Sequence, residues 1–240
     1  VRLLRPLQGA LNLAAERPGL RGLAALAMPM AALADACGRR LARAPRLPPL
    51  AEAPLEAAAL AEALHEHRGA FALRPDYDAA TLEWLLFQAR QKRRYGTLEG
   101  AVLREANGRT AGWFLYYLNP RMCQVLQIGG RRERLGEVLE QLFRHARRRG
   151  AVAIQGRLEP HLTLALQGRR CLLQSRSIHT LLHARDANLL VPFYSGDAFF
   201  TRLEGEWWTR FSDEAPHGAG DTRDVGRKPK LAAPVSAAVR

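Results

Sequence analysis

The sequence predicts an α/β (α+β) fold, a central mixed β-sheet flanked by helices, and three observations predict it. Period-two apolar runs lie on either side of Asn107-Gly108, a helical stripe runs from Arg131 to Arg149, and a short apolar run follows at residues 151–156. An Asn-Gly pair between alternating runs marks a tight antiparallel hairpin, because both residues accept positive φ. A helix between two strands instead carries the chain across the sheet and sets those strands parallel. The domain so defined covers residues 70–211. A helical N-terminal segment with a proline-rich linker, residues 1–69, precedes it, and a tail over 212–240 has no apolar pattern and reads as disordered.

Residues 1–44 carry leucine and alanine at helical spacing, punctuated by Pro6, Pro18 and Pro29, which predicts two or three short helices. Pro45, Pro48, Pro49 and Pro54 form the linker. Leu55–His67 and Thr81–Gln91 read as further helices, the second capped by Asp78 with Leu82, Leu85, Leu86 and Ala89 on one face. From Gly100 the period changes: 101–106, 110–118 and 122–128 read as an antiparallel meander. The helix from Arg131 then buries Leu135, Val138, Leu139, Leu142, Phe143 and Ala146, and Gly150 stops it. After the 151–156 strand come a short helix from Pro160 to Gln167, strands at 171–175 and 178–183, a helical turn at 187–191, and a hairpin of 199–203 with 206–211.

The formal net charge of +13 is nearly all arginine and is spread along the chain with no nucleic-acid motif. A basic nucleic-acid-binding protein is therefore the third functional reading rather than the first. Three cysteines, Cys37, Cys123 and Cys171, form no C-x-x-C pair, and no histidine cluster has metal-ligand spacing; neither a disulfide framework nor a metal site is expected. The apolar stretch at 20–37 is broken by Pro29 and Asp35 and is too short to span a bilayer, which takes ~20 residues. These features fit a cytoplasmic protein.

The order of elements from Gly100 to Phe211 resembles the GNAT superfamily of acyl-CoA-dependent N-acetyltransferases. In that family a loop of pattern Gln/Arg-x-x-Gly-x-Gly/Ala, leading from a strand into a helix, holds the pyrophosphate of acetyl-CoA, and helix N-termini suit anions in general. The matching stretch is Arg131-Arg132-Glu133-Arg134-Leu135-Gly136: Arg131 fits the first position and Gly136 the last, while Arg134 replaces the first glycine. The resemblance implies that acetyl-CoA, or another acyl-CoA, is held by Gln127, Ile128, Gly129, Arg131, Arg132, Arg134, Leu135 and Gly136. It also implies a V-shaped gap between the end of the 122–128 strand and the 151–156 strand, with the loop amides facing it.

Acyl transfer needs a base for the attacking amine and a proton donor for the departing thiolate. The family's tyrosine has no counterpart in His161–Gln167, which leaves Glu159 and His161 as the catalytic candidates. The acceptor would be the amine of a small molecule or peptide. Arg134 and the missing tyrosine favour a second reading, a catalytically silent scaffold or partner-binding copy of the fold. The arginine-rich N-terminal helices resemble the linkers of tandem GNAT proteins, which implies a C-terminal copy; oligomeric state is open.

Overall fold

The computed structural model describes residues 1–15, 17, 19–41, 50–173 and 182–204. Its chain order is β1 (Arg2–Leu3), α1 (Pro6–Ala15), α2 (Arg21–Leu41), β2 (Ala51–Pro54), α3 (Ala57–Glu66), α4 (Ala79–Gln91), β3 (Thr97–Arg104), β4 (Thr110–Leu118) and β5 (Cys123–Gly130). There follow α5 (Leu135–Arg148), β6 (Ala153–Gln155), α6 (Thr163–Leu166) and α7 (Val191–Ser195). The strands form one mixed six-stranded sheet in the order β1-β6-β5-β4-β3-β2, with helices on its faces. Only β5 and β6 run parallel, joined through α5, as the helix between them requires.

Asn107 and Gly108 turn the β3–β4 hairpin, with Gly108 at φ 82° and Arg109 N–H donating to Asn107 Oδ1 at 3.0 Å. β4 is the central strand and is covered on both faces. Phe114 and Tyr116 point to α5, joining Val138, Leu139 and Leu142 in one cluster. Trp113, Leu115 and Tyr117 point the other way, against Leu60, Leu82, Leu85 and Leu86 of α3 and α4. Asp78 caps α4 by accepting from Thr81 N–H at 2.7 Å.

The N-terminal segment departs from a purely helical expectation. β2 pairs with β3 and β1 pairs with β6, so residues from this segment close both edges of the sheet. Pro54 is tolerated because β2 is an edge strand. Helix α2 runs through Pro29, which lies on its exposed side. Asp35 of α2 accepts from the backbone N–H groups of Leu7 and Gln8, each at 3.1 Å, and so caps α1 across the helical hairpin.

Downstream, Cys171–Leu173 form no ladder: Leu172 instead exchanges hydrogen bonds of 2.7 Å with the ammonium and carbonyl of Val1. Phe199–Leu203 is likewise not a strand but a crossing segment ending in a turn, with Ala198 bridged to Leu73. Residues 187–195 are helical, as a 3-10 turn leading into α7. The expected strand at 178–183 falls mostly on, and the 206–211 strand and the 212–240 tail entirely on, residues outside those described. Among the described residues no helix is long and apolar enough to cross a membrane.

Candidate functional site

β5 and β6 are paired only at Cys123↔Ile154 and Gln124↔Gln155, after which β6 ends and the strands part. A register shift against β4 occurs at the same place: Leu115 faces Gln127 and Tyr116 faces Val125, so Leu126 is the extra residue of a bulge. The bulge and the short β6 together leave the second half of β5 without a strand on its outer side. Two groups occupy its free carbonyls. Arg202 N–H donates to Leu126 O at 3.0 Å, and His161 Nε2 lies 3.4 Å from Ile128 O.

The His161 side chain is 2% exposed and packs with the rings of Phe71 and Phe199, at 5.3 and 5.6 Å, in one three-ring cluster. Burial pulls its imidazole down to about 4, so the ring is neutral at physiological pH. Glu159 lies beside it, Oε2 to Nδ1 3.8 Å, with Arg157 at 3.6 Å on the other side. Burial pushes the Glu159 carboxyl up to about 8, against the pull of Arg157 and with help from the nearby Glu204 charge. The two catalytic candidates thus share one buried site at the parting of β5 and β6, one a neutral base and the other a carboxyl that titrates near neutrality.

Beyond His161 the site opens into a cavity of about 350 Å³ lined by Arg132, Glu133, Gly136, Pro160, His161, Leu164 and Ala165. Its floor is the amino end of α5, entered through a 3-10 turn at Arg132–Arg134. Helix starts carry N–H groups without helical partners and a positive dipole end. Arg132 reaches Asp197 at 3.5 Å and the face of Phe71 at 5.8 Å, and its side chain is largely exposed. Gly136 lies under the guanidinium of Arg169: a Cβ there would stand 2.5 Å from Nη2, the far end of a flexible side chain that can shift aside. Arg169 folds back over the start of α5, bonded to Ala165 O and with Nε 3.3 Å from Glu140.

The other residues of the implied cofactor loop are directed elsewhere. Arg131 and Arg134 both pair with Glu105 from the end of β3's hairpin, Arg134 at 2.9 Å, and Arg134 also holds Glu137 at 2.7 Å. Gln127 faces the α3–α4 side, where it accepts from Trp113 Nε1 at 2.8 Å and donates to Glu204 at 2.8 Å. Gly129 pairs with Trp113 and lies against its indole ring, and Leu135 is core. Ile128 joins the site through its carbonyl, while its side chain packs in the core.

Sequence reasoning missed Arg169, Arg157, Arg202 and the polar cluster behind β5. There Glu204 accepts from Gln127, from Thr201 and from the Tyr77 hydroxyl, and burial raises both Glu204 and Tyr77. No motif marks these residues, since the elements that carry them meet only in the fold. Among the described residues, no group of three His, Cys, Asp or Glu side chains is placed to hold a metal ion.

No protein-family model matches the chain, and no curated protein matches it. Among solved structures, an acetyltransferase from Trypanosoma brucei is similar at a TM-score of 0.40 and 15% identity, over 56% of this chain and 100% of that one.

Proposed function

We propose that the chain is an acyl-CoA-dependent N-acyltransferase of the GNAT type, transferring an acyl group to an amine. The observation that carries this reading is the parting of β5 from β6 directly beside the amino end of α5, with a cavity at the mouth of the gap. A cofactor of this kind fits the residues present in one respect: the cavity at the start of α5 is lined by the cationic Arg132, and the Arg169 guanidinium lies against Gly136 at its floor. When bound, an acyl-CoA supplies an activated thioester.

In this reading Arg132, Arg169 and the amides of Arg132, Glu133 and Gly136 hold the phosphates, the amide of Arg134 being bonded to Arg131 O. His161 turns away from Ile128, whose carbonyl then becomes available to the pantetheine arm. Glu159 is the base for the acceptor ammonium; with its carboxyl titrating at about 8, it exchanges a proton with an amine near neutrality without a large mismatch.

One observation favours the second reading, a silent scaffold: the carbonyls of Leu126 and Ile128 are both engaged by the protein itself. Calorimetric titration with coenzyme A and acetyl-CoA separates the possibilities. The acyltransferase reading expects binding in the micromolar range that weakens on Arg132→Ala, and turnover of a generic amine that falls on Glu159→Gln. Absence of binding by any acyl-CoA at millimolar concentration overturns it, and binding without turnover favours the scaffold.

A further inference from the structure

A cavity of about 330 Å³ opens at the outer edge of β3, where β2 leaves it, and its size is within the range of small-molecule sites. It is separate from the site at the parting of β5 and β6, because β4 lies between β3 and β5. The β2–β3 ladder ends with the pair Pro54↔Ala101. Proline has no N–H to exchange, so Ala101 turns its backbone groups toward β4, and by alternation Leu98 turns its N–H and C=O outward. Neither group of Leu98 has a partner among the described residues.

The side chains around the cavity divide between the two faces of the sheet. On the α4 side Leu55, Leu86, Leu98 and Leu115 form an apolar wall, with the exposed Arg90 beside it. On the α5 side stand Glu99 and His145. His145 is 7% exposed, and its Nδ1 lies 2.9 Å from the hydroxyl of Tyr116. That buried hydroxyl has no other acceptor among the described residues, so it donates to Nδ1. Burial holds the imidazole below its ordinary value, and a neutral ring that accepts at Nδ1 carries its hydrogen on Nε2. Nε2 has no partner among the described residues, which leaves a buried donor for an acceptor in the cavity.

Two further groups at the cavity are left over after the chain's own pairing. Glu52 is taken on both oxygens by Arg148, at 2.7 Å each, and Arg149 holds Glu99 through Oε1 at 2.6 Å. Oε2 of Glu99 and the guanidinium of Arg90 have no partner among the described residues. One acid and one base thus stand on opposite faces of the sheet, with unpaired strand backbone and an apolar wall beside them.

We propose that this cavity binds a short free peptide of two or three residues, its ammonium on Glu99 and its carboxylate on Arg90. In extended backbone the N–H and C=O of one residue turn the same way, which matches the two open groups of Leu98. A peptide carbonyl accepts from Nε2 of His145. Arg90 and the leucine wall share the α4 side, so an apolar side chain on the carboxyl-terminal residue is preferred.

Calorimetric titration of the full chain with glycyl-glycyl-leucine tests this, beside the same peptide acetylated at its amine and the same peptide amidated at its carboxyl. The expected result is binding in the micromolar to low millimolar range, weakened at least about tenfold by either cap. Glu99→Gln should erase the preference for the free amine and keep that for the free carboxylate. Arg90→Ala should do the reverse, and should Glu99→Gln unfold the chain, this exposed position alone decides. A merely structural role would weaken all the peptides alike, and that result overturns the proposal. So does absence of binding at millimolar concentration, or equal binding of capped and free peptides. Equal binding of ε-aminocaproate, which has both charges but no amide, overturns the pairing with Leu98 and with it the assignment to a peptide.

Discussion

His161 Nε2 stands 3.4 Å from the carbonyl oxygen of Ile128, at the point where β5 has lost its strand neighbour. The imidazole thus supplies to β5 what the next strand would otherwise supply, and it blocks the same carbonyl from a ligand. His161→Ala is expected to cost on the order of 2 kcal/mol in urea denaturation, from the lost polar partner and the lost ring packing. The same change should tighten coenzyme A binding in calorimetry; unchanged or weaker binding would place the pantetheine arm elsewhere.

Stability should depend on pH through Glu159. Its folded value of about 8 lies above the ordinary 4.5, so the folded state holds a proton that the unfolded state releases. The contribution is complete below about 4.5 and is lost as pH rises through 8. His161 acts oppositely: with its folded value near 4, its contribution is complete above about 6.5 and is lost as pH falls toward 4. Between pH 6.5 and 8 only the Glu159 loss remains. Glu159→Gln should therefore be more stable than the parent at pH 8 by at least about 2 kcal/mol, with little difference at pH 5. Equal denaturation midpoints at both pH values would rule out a raised Glu159.

Gln127 links the indole of Trp113 to the carboxyl of Glu204 behind β5. Gln127→Leu keeps the volume nearly constant but leaves a buried N–H and a buried carboxyl each short of a partner. The expected loss is roughly 2–4 kcal/mol in thermal or chemical denaturation. A loss below 0.5 kcal/mol, taken here as about the noise of surface substitutions, would show that water reaches both groups.

Gly129 lies against the Trp113 ring with no room for a side chain. Gly129→Ala should destabilise by about 3 kcal/mol or more, because the obstruction is a rigid indole in the middle of the sheet. Gly108→Ala would meet no atom within 4 Å and suffers only from its positive φ of 82°, so it is expected to cost less. Reversal of that order in denaturation experiments would contradict the packing described.

Glu105 holds Arg131 and Arg134 away from the cavity. Glu105→Gln should release Arg131, while Glu137 still holds Arg134, and should strengthen binding of coenzyme A by about threefold or more, most clearly at low salt. Affinity that stays the same would mean that Arg131 cannot reach the phosphates.

The β3–β4 hairpin and α5 are legible in sequence because each is written locally, in Asn107-Gly108 and in a stripe of apolar residues from Leu135 to Ala146. β1 and β2 are not, being 2 and 4 residues long, too short to show a period. The candidate site divides in the same way. Glu159 and His161 can be picked out as titratable residues after a strand, but their burial depends on Phe71, Phe199 and the Thr201–Glu204 turn, which arrive from distant parts of the chain. The capture of Arg131 and Arg134 by Glu105 was hidden for a related reason: it follows from the hairpin end lying beside the loop, not from any spacing in the loop itself.

The pairing of β1 with β6 joins Leu3 to Ala153, and it sets an order of assembly. β6 cannot take its place until α5 has packed and brought it alongside β5, and β1 cannot pair until β6 is there. Contacts of such sequence separation form slowly, since the intervening chain must be ordered before they repay its entropy. During that interval β6 presents an open edge, the element most prone to pairing with another chain. The yield of refolding should therefore fall with protein concentration, and the fall should be steeper when Leu4 is replaced by proline, which removes the N–H that donates to Val152 O at the closing edge.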